Sequence, residues 1–345
     1  MKKIIQKLYE TSDLSDNELK MLIDSSSDED NELLRSLADE VRQRYYGKDV
    51  FLRGLIEISS YCKNNCFYCG IRRDNKCAER YRLSSEDILE CCDYGYSLGL
   101  RTFVLQGGED SHFSDEFLIP LISEIKKRYP ECAVTLSLGE RSEESYRKLK
   151  HIGADRYLLR HEAADDTLYA KLHPESMSLE NRKNCLFTLK KLGYQTGSGF
   201  MVGAPYQTTD DIIKDLRFLQ KLNPEMIGIG PFVPHNDTPF KEFKKGELGL
   251  ILRLVSILRL MFPKALIPST TALGTIHPYG REMGLKAGAN VVMPNLSPAD
   301  VRKKYMLYND KICTDEEACE NIAELKKRIA TAGYEVLGGR GDAVI

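Results

Sequence analysis

The chain has 345 residues, of which 42% are apolar and 29% charged, and its net charge is −2. Acids and bases are interspersed, which excludes the strongly basic surface of a protein that binds nucleic acid or an anionic membrane. No segment approaches the ~20 apolar residues of a membrane span, and the N-terminus lacks the apolar core of a signal peptide. We therefore expect a cytoplasmic protein whose ten cysteines are reduced thiols or metal ligands.

The first part of the chain, residues 1–47, is predicted to be helical, because its leucines recur near the 3.6-residue period. From residue 51 onward, short apolar β-runs alternate with helical patterns, as expected of parallel strands covered on both faces. The predicted strands are FLRGLIEIS (51–59), TFVLQ (102–106), AVTLSL (133–138), DRYLLR (155–160), QTGSGFMVG (195–203), MIGIG (226–230), ALIPST (265–270) and NVVMP (290–294). The predicted helices are 84–100, with Ser84 as N-cap, 115–129, 141–153, 178–193, 208–222, about 246–261 and about 275–286.

Eight β-runs, each but the last followed by a helix, predict an α/β fold of the (β/α)8 TIM-type barrel. A doubly wound open sheet is the alternative. The expected organisation is an N-terminal helical extension (1–47), a barrel (48–296) and a C-terminal extension (297–345).

The segment CKNNCFYC places three cysteines, Cys62, Cys66 and Cys69, directly after the first predicted strand. In a barrel of this kind the loops that follow the strands form the reaction face. Three thiolates can bind three irons of a [4Fe–4S] cluster and leave the fourth iron open to a small molecule. A structural zinc site is the alternative, but it takes four ligands, usually in two pairs. Four other cysteines fall within helix or strand patterns and are predicted to be small buried apolar residues: Cys91, Cys92, Cys132 and Cys185.

The spacing CX₃CX₂C, with Tyr68 before the last cysteine, resembles that of the radical S-adenosylmethionine (SAM) enzymes. The resemblance implies that the open iron binds SAM and that one electron cleaves it to methionine and a 5′-deoxyadenosyl radical. QGGED after the second strand resembles the family's segment at the SAM amino group, which brings in Gln106, Gly107 and Gly108. MVGAPYQT after the fifth strand, beginning at Met201, resembles the segment beside the adenine.

Further segments resemble the HydE family of [FeFe]-hydrogenase maturases from residue 50 to 313, namely VTLSLGE, DRYLLRHEAAD, GIGPFVPHNDTP and TTALGTIHPYGREMGLKAGANVVMPN. This resemblance implies a role in assembling the diiron subcluster of the hydrogenase active site (the H-cluster). The implied substrate is an organometallic iron–cysteine complex, and the implied partners are other hydrogenase maturases and a ferredoxin or flavodoxin as electron donor. It also implies that Glu162 and Arg182 bind SAM and that Tyr308 lies near the substrate cavity.

Polar residues occur at several predicted strand ends, where a barrel would gather them at one mouth. Arg160 is suited to clamp a carboxylate, and hydroxyl groups can donate to cyanide or to an oxyanion. We therefore expect a small anionic ligand on a polar set that consists of Thr135, Ser137, Arg160, Thr270 and Thr271.

Near the C-terminus the sequence departs from those family members that bind an accessory cluster through three cysteines. KICTDEEACENIAE supplies only Cys313 and Cys319, so no complete second cluster is expected. Two alternatives to the maturase stay open. One is a radical SAM mutase of amino-acid metabolism, similar to methylornithine synthase, and the other is a non-catalytic iron–sulfur or zinc scaffold.

Overall fold

The predicted alternation of strands and helices is present in the computed structural model, which describes residues 1–314 and 322–344. Within these residues the helices are α1 (Lys2–Thr11), α2 (Asp16–Ile23), α3 (Asp28–Tyr46), α4 (Ser85–Ser97), α5 (Asp115–Arg128), α6 (Glu143–His151), α7 (Asp166–Leu172), α8 (Leu179–Lys191), α9 (Thr209–Leu222), α10 (Leu248–Met261), α11 (Thr271–Ile276), α12 (Gly280–Lys286), α13 (Ala299–Arg302) and α14 (Ile322–Thr331). The strands are β1 (Asp49–Leu52), β2 (Gly54–Ser59), β3 (Thr102–Gly107), β4 (Ala133–Ser137), β5 (Arg156–Leu158), β6 (Gln195–Ser198), β7 (Met201–Val202), β8 (Met226–Ile227), β9 (Gly230–Pro231), β10 (Val291–Val292) and β11 (Glu335–Leu337).

The strands close into a barrel. Six strands pair in parallel in the order β2-β3-β4-β5-β6-β8, and β7 pairs with β9 above them. On the other side β1, which runs directly into β2, pairs in parallel with β10. The remaining gap between β8 and β10 is bridged by the parallel contacts Met226–Leu266 and Pro268–Val291. The closed (β/α)8 barrel is therefore confirmed, and the open sheet is excluded.

Two predicted elements differ from the structure around prolines. The seventh predicted strand, 265–270, is reduced to isolated bridges, because Pro268 has no N–H to donate to a ladder. The helix predicted at about 275–286 is divided into α11 and α12 around Pro278, which a continuous helix does not accommodate.

Local sequence fixes where several helices begin. Ser84 accepts a hydrogen bond from the Asp87 backbone N–H, and the Asp87 carboxylate accepts one from the Ser84 N–H, which confirms the predicted cap. The four cysteines predicted to be apolar are all buried: Cys91, Cys92, Cys132 and Cys185.

The flanking segments pack on the barrel. Helix α3 lies against α10 and α1, and β11 adds to the free edge of β1 in parallel. The division into helical extension, barrel and C-terminal extension stays a prediction. In the described part of the chain, no helix is long and apolar enough to cross a membrane.

Candidate active site

A cavity of about 360 Å³ opens at the carboxyl ends of the barrel strands, a size that suits a small-molecule site. The predicted residues that line it are Cys62, Cys66, Tyr68, Cys69, Gln106, Gly107, Gly108, Ser137, Arg160, Glu162, Arg182, Met201, Thr270, Thr271 and Tyr308. Thr135 lies deeper, two residues before Ser137 on the same strand face, and is buried. The fold thus brings residues from seven separate loops and strands to one place.

The three thiols of the cysteine loop are close enough to affect one another. Burial raises the pKa of each of them, to about 12 for Cys66, and the neighbouring thiols raise the pKa of Cys66 and Cys69 further. Free thiols here keep their protons at neutral pH, so a metal has to displace those protons on binding. Within residues 1–314 and 322–344, no three Cys, His, Asp or Glu side chains lie close enough together to hold a single metal ion.

Gly108 lets two loops of the site approach each other. A Cβ atom at this position would lie 2.2 Å from the Tyr61 carbonyl oxygen and 2.7 Å from Cys62 Cβ. No larger residue fits, so the glycine fixes the distance between the cysteine loop and the loop after β3. Gly108 therefore serves the packing of the protein on itself, in addition to the contact with SAM that the resemblance of QGGED implies.

Glu162 adopts a strained backbone conformation at the edge of the cavity. Its φ is +65°, in the left-handed region that a glutamate rarely occupies. Its Oε2 lies 3.0 Å from Nη2 of Arg160. Among the residues that the structure describes, neither of these atoms has a well-directed hydrogen bond, and Nε of Arg160 also has none. Strain and unused hydrogen-bonding capacity at one point are typical of a ligand site.

The strained turn is held from behind by a buried network. The His161 side chain points away from the cavity, with Nδ1 2.9 Å from Ser198 Oγ and Nε2 3.2 Å from Asp215 Oδ1. The same Asp215 oxygen accepts a hydrogen bond of 2.6 Å from the Ala164 N–H. Asp215 therefore holds the chain on both sides of Glu162, at His161 and at Ala164, while the Glu162 side chain lines the cavity. No local pattern pointed to Asp215, which lies 53 residues further along the chain than Glu162.

Arg182 is buried rather than solvated, although it lies in the first turns of α8. Its Nε is 2.6 Å from Glu140 Oε1, and its Nη2 is 3.6 Å from Glu109 Oε1. The sequence analysis missed both glutamates. Each directly follows a predicted strand, in QGGED and LSLGE, and that position was the available signal.

Tyr68 is positioned by a residue that the sequence analysis also missed. Its hydroxyl lies 3.0 Å from Nε2 of His173, whose Nδ1 lies 3.0 Å from the Tyr169 carbonyl oxygen. Nδ1–H therefore donates to the carbonyl, and Nε2 accepts from the tyrosine. Burial lowers the pKa of His173 to about 3, so the imidazole is neutral and can act as this acceptor.

A buried ion pair contributes to the cavity wall on the side of β2. Lys311 Nζ donates to Glu57 Oε1 at 2.6 Å and to the Tyr305 carbonyl oxygen at 2.9 Å, and Asn295 Nδ2 donates to the other Glu57 oxygen. Glu57, Gln106 and Ser137 are register partners on adjacent strands, so the pair lies at the level of two predicted site residues. It ties the segment after α13 to the barrel wall.

Comparison with known proteins identifies the family. A model of the radical SAM superfamily matches residues 56–219. The chain is 50% identical over 303 residues to the [FeFe] hydrogenase maturase subunit HydE of Thermotoga maritima, which covers 88% of this chain and 86% of that protein. The chain belongs to the HydE family of radical SAM hydrogenase maturases. This confirms the resemblance found in the sequence.

A second group of relatives is more distant. The chain is 32% identical over 332 residues to 3-methylornithine synthase of Methanosarcina acetivorans, with 96% of this chain and 92% of that protein covered. A crystal structure of methylornithine synthase superposes with a TM-score of 0.85 at 30% identity, covering 97% of both chains. The HydE assignment is favoured over this alternative by the higher identity. The X-ray structure of the maturase HydG from Carboxydothermus hydrogenoformans superposes with a TM-score of 0.82 at 21% identity, covering 98% of this chain and 79% of that chain. At this identity the likeness shows only a shared fold.

Membership in this family implies a [4Fe–4S] cluster and SAM as cofactors. The residues of this HydE-family chain fit both groups, since three half-buried thiols face a cavity that also holds a buried arginine and unpaired polar atoms. The C-terminal pair of cysteines is different. Cys313 lies at Nη2 of Arg281, 3.3 Å away, and Cys319 lies outside the described residues.

Proposed function

We propose that Cys62, Cys66 and Cys69 each bind one iron of a [4Fe–4S] cluster and that the fourth iron is left to SAM. The support is the position of all three thiols on one cavity, together with the CX₃CX₂C spacing. Bound together, the cluster and SAM supply a 5′-deoxyadenosyl radical. The residues of the chain bind and orient these groups and exclude water from them.

SAM is proposed to lie across the loops that follow β3, β5 and β7. Glu162 accepts from the ribose hydroxyls, and Arg182 binds the carboxylate after exchanging part of its contact with Glu109, 3.6 Å away. Gln106, Gly107 and Gly108 face the amino group, and Met201 provides an apolar contact for the adenine. Tyr68, held by His173, closes the iron–sulfur cluster from the side of α7.

The substrate is proposed to be a small anionic iron–cysteine complex in the deeper part of the cavity. One observation carries this proposal: in the described structure, Nε of Arg160 and the hydroxyls of Thr135 and Thr270 are buried without any hydrogen-bond partner. Unpaired buried donors are costly, about 1–3 kcal/mol each, unless a ligand satisfies them. Ser137, Thr271 and Tyr308 complete the wall around the same space.

The proposed partners follow from this chemistry. Other hydrogenase maturases would deliver the substrate and accept the product, and a ferredoxin or flavodoxin would deliver the electron. We also propose that no complete second cluster is built, because Cys313 and Cys319 are two ligands where a cluster takes three or four.

Anaerobic reconstitution with iron and sulfide, followed by SAM and dithionite, tests the assignment. The enzyme should show iron–sulfur absorbance near about 400 nm and release 5′-deoxyadenosine. Cys66→Ala should lose both. Cys77→Ala is the matched control, since this thiol belongs to the same stretch of chain but is exposed, and should keep both. Retention of zinc without 5′-deoxyadenosine would show a scaffold instead, and turnover of a free amino acid would show the mutase.

A further inference from the structure

The outer side of the cysteine loop has the opposite charge to the chain as a whole. Residues 62–80 contain five basic side chains (Lys63, Arg72, Arg73, Lys76 and Arg80) and two acidic ones (Asp74 and Glu79), a net charge of +3, whereas the whole chain carries −2. The inversion occurs in the segment that contains the three proposed ligands of the iron–sulfur cluster. We therefore ask whether these positive charges serve the reduction of that cluster.

The basic residues are brought over the cysteines because the loop folds back on itself. The Arg73 N–H donates to the Asn64 carbonyl oxygen at 2.8 Å, and Asn65 Nδ2 donates to Asp74 Oδ2 at 2.6 Å. Arg80 holds the returning chain from below through the carbonyl oxygens of Ile71 and Arg72. The segment 72–76 is therefore fixed on the outside of the segment 62–66.

Three of these basic side chains are exposed and a fourth is half-buried. The side chains of Lys63 and Arg73 are 63% and 61% exposed, Lys76 is exposed as well, and Arg72 is half-buried with its Nε out of contact with solvent. The nearby acids are engaged: Asp74 by Arg73 at 3.0 Å, Glu79 by Lys304 at 2.8 Å, and Glu109 at the edge of the cavity by Lys63 at 3.2 Å. Neither Arg72 nor Lys76 has an ion-pair partner in residues 1–314 or 322–344. We call the four side chains Lys63, Arg72, Arg73 and Lys76 the loop collar.

Stabilisation of the cluster is a poor explanation for the collar. Exposed charges are screened by water and salt and contribute little to a buried group. Buried arginines such as Arg182 already supply positive charge on the inner side. A cluster of exposed positive charges does, however, attract a negatively charged partner and fix its orientation.

We propose that the loop collar is the docking surface for an acidic one-electron carrier protein. This inference rests on the proposed function, which requires one electron for each SAM that is cleaved. The carrier gives up one electron and is oxidised, and the iron–sulfur cluster directly beneath the collar takes it up and is reduced. Docking on this face places the redox group of the carrier on the same side as Cys62 and Cys66.

The test compares reduction of the reconstituted holoenzyme by two donors in stopped flow. One is a reduced flavodoxin, which is acidic, and the other is reduced methyl viologen, a small cation that gains nothing from a basic surface. Arg73→Glu/Lys76→Glu should slow reduction by flavodoxin about 10-fold or more and weaken its dependence on salt. Reduction by viologen should not slow, and SAM cleavage driven by viologen should be unchanged.

Lys127→Glu/Lys191→Glu is the matched control, with the same change of charge on side chains that are 81% and 75% exposed near the C-terminal ends of α5 and α8, at the other end of the barrel. It should leave both donors unaffected. A milder variant, Arg73→Gln, should slow reduction by flavodoxin about 3-fold in enzyme that contains a complete iron–sulfur cluster. Equal flavodoxin rates in the collar and control variants would overturn the proposal. Failure of the unaltered enzyme to cleave SAM with viologen would instead overturn the proposed function.

Discussion

Two arginines four residues apart, Arg156 at the bottom of the barrel and Arg160 at the cavity end, differ in how completely their guanidinium groups are hydrogen-bonded. Arg156 begins β5 and is completely buried, and its guanidinium contacts Gln195, Thr102, the Arg340 carbonyl oxygen and Asp342, the last at 2.6 Å. Arg160, four residues further along the same run, meets a single carboxylate and keeps buried nitrogen atoms without a directed hydrogen bond in the described structure.

The difference separates a structural arginine, Arg156, from Arg160, for which we propose a role in ligand binding. The C-terminal segment supplies the missing acceptors at the bottom of the barrel, so Arg156 ties Arg340 and Asp342 to the strands. At the top, the fold leaves a cavity where such acceptors would lie. Two arginines four residues apart therefore differ in hydrogen bonding because of what the tertiary structure places beside them.

Substitution of the two arginines should give the largest contrast. Arg156→Ala should lower the free energy of unfolding by about 3 kcal/mol, because buried acceptors lose their donor. Arg160→Ala should change it by less than about 1 kcal/mol but should reduce substrate turnover at least 10-fold. Thermal unfolding and product formation under argon measure the two effects. Equal destabilisation by both changes would contradict the comparison.

Asp215 offers a test of how the top of the barrel is held. Asp215→Ala should lower the free energy of unfolding by about 2 kcal/mol, since the half-buried Ala164 N–H and the buried His161 ring lose their acceptor. It should also raise the dissociation constant for SAM about 10-fold as Glu162 relaxes. Asp215→Asn keeps an acceptor for the Ala164 N–H. It should restore most of the SAM affinity, while its free energy of unfolding stays similar to that of Asp215→Ala. If affinity follows stability in both variants, Asp215 is only structural.

Lowering the pH should reduce the stability of the folded protein through His173, which lies at the same end of the barrel. The folded pKa is about 3, well below the ordinary value of 6.5, so the unfolded chain takes up a proton that the folded chain refuses. Stability should therefore fall as the pH drops below about 6.5, by about 1 kcal/mol between pH 7 and pH 5.5 from this residue. In His173→Gln the side chain still accepts a hydrogen bond from Tyr68 but does not titrate. Its melting temperature should therefore fall less between pH 7 and pH 5.5 than that of the unaltered protein.

The smallest effect is expected at Cys313. Cys313→Ala should leave iron content, absorbance and SAM cleavage unchanged, because we propose no complete cluster there. Iron and sulfide analysis beside the cleavage assay measures this. Loss of a second set of irons in the variant would show that the C-terminal region binds a cluster after all.

Much of the fold and the core of the site follow from local sequence. Alternating apolar runs and capped helices predict the barrel, and Cys62, Cys66 and Cys69 are adjacent enough to be recognised as one motif. The strand ends also indicated Arg160, because the parallel barrel collects all such ends at one face, and the family resemblance indicated Glu162. Prolines limited the prediction at 265–270, where backbone donors are missing.

By itself, then, the sequence determined the thiol motif, the order of strands and helices and the family. The tertiary structure alone decided which polar groups are satisfied. It paired Lys311 with Glu57 across 254 residues, placed Asp215 behind Glu162 and left Nε of Arg160 without an acceptor among the described residues. The physical reason is that hydrogen bonding and burial depend on neighbours that are distant in the chain, whereas strand and helix patterns depend on neighbours within a few residues.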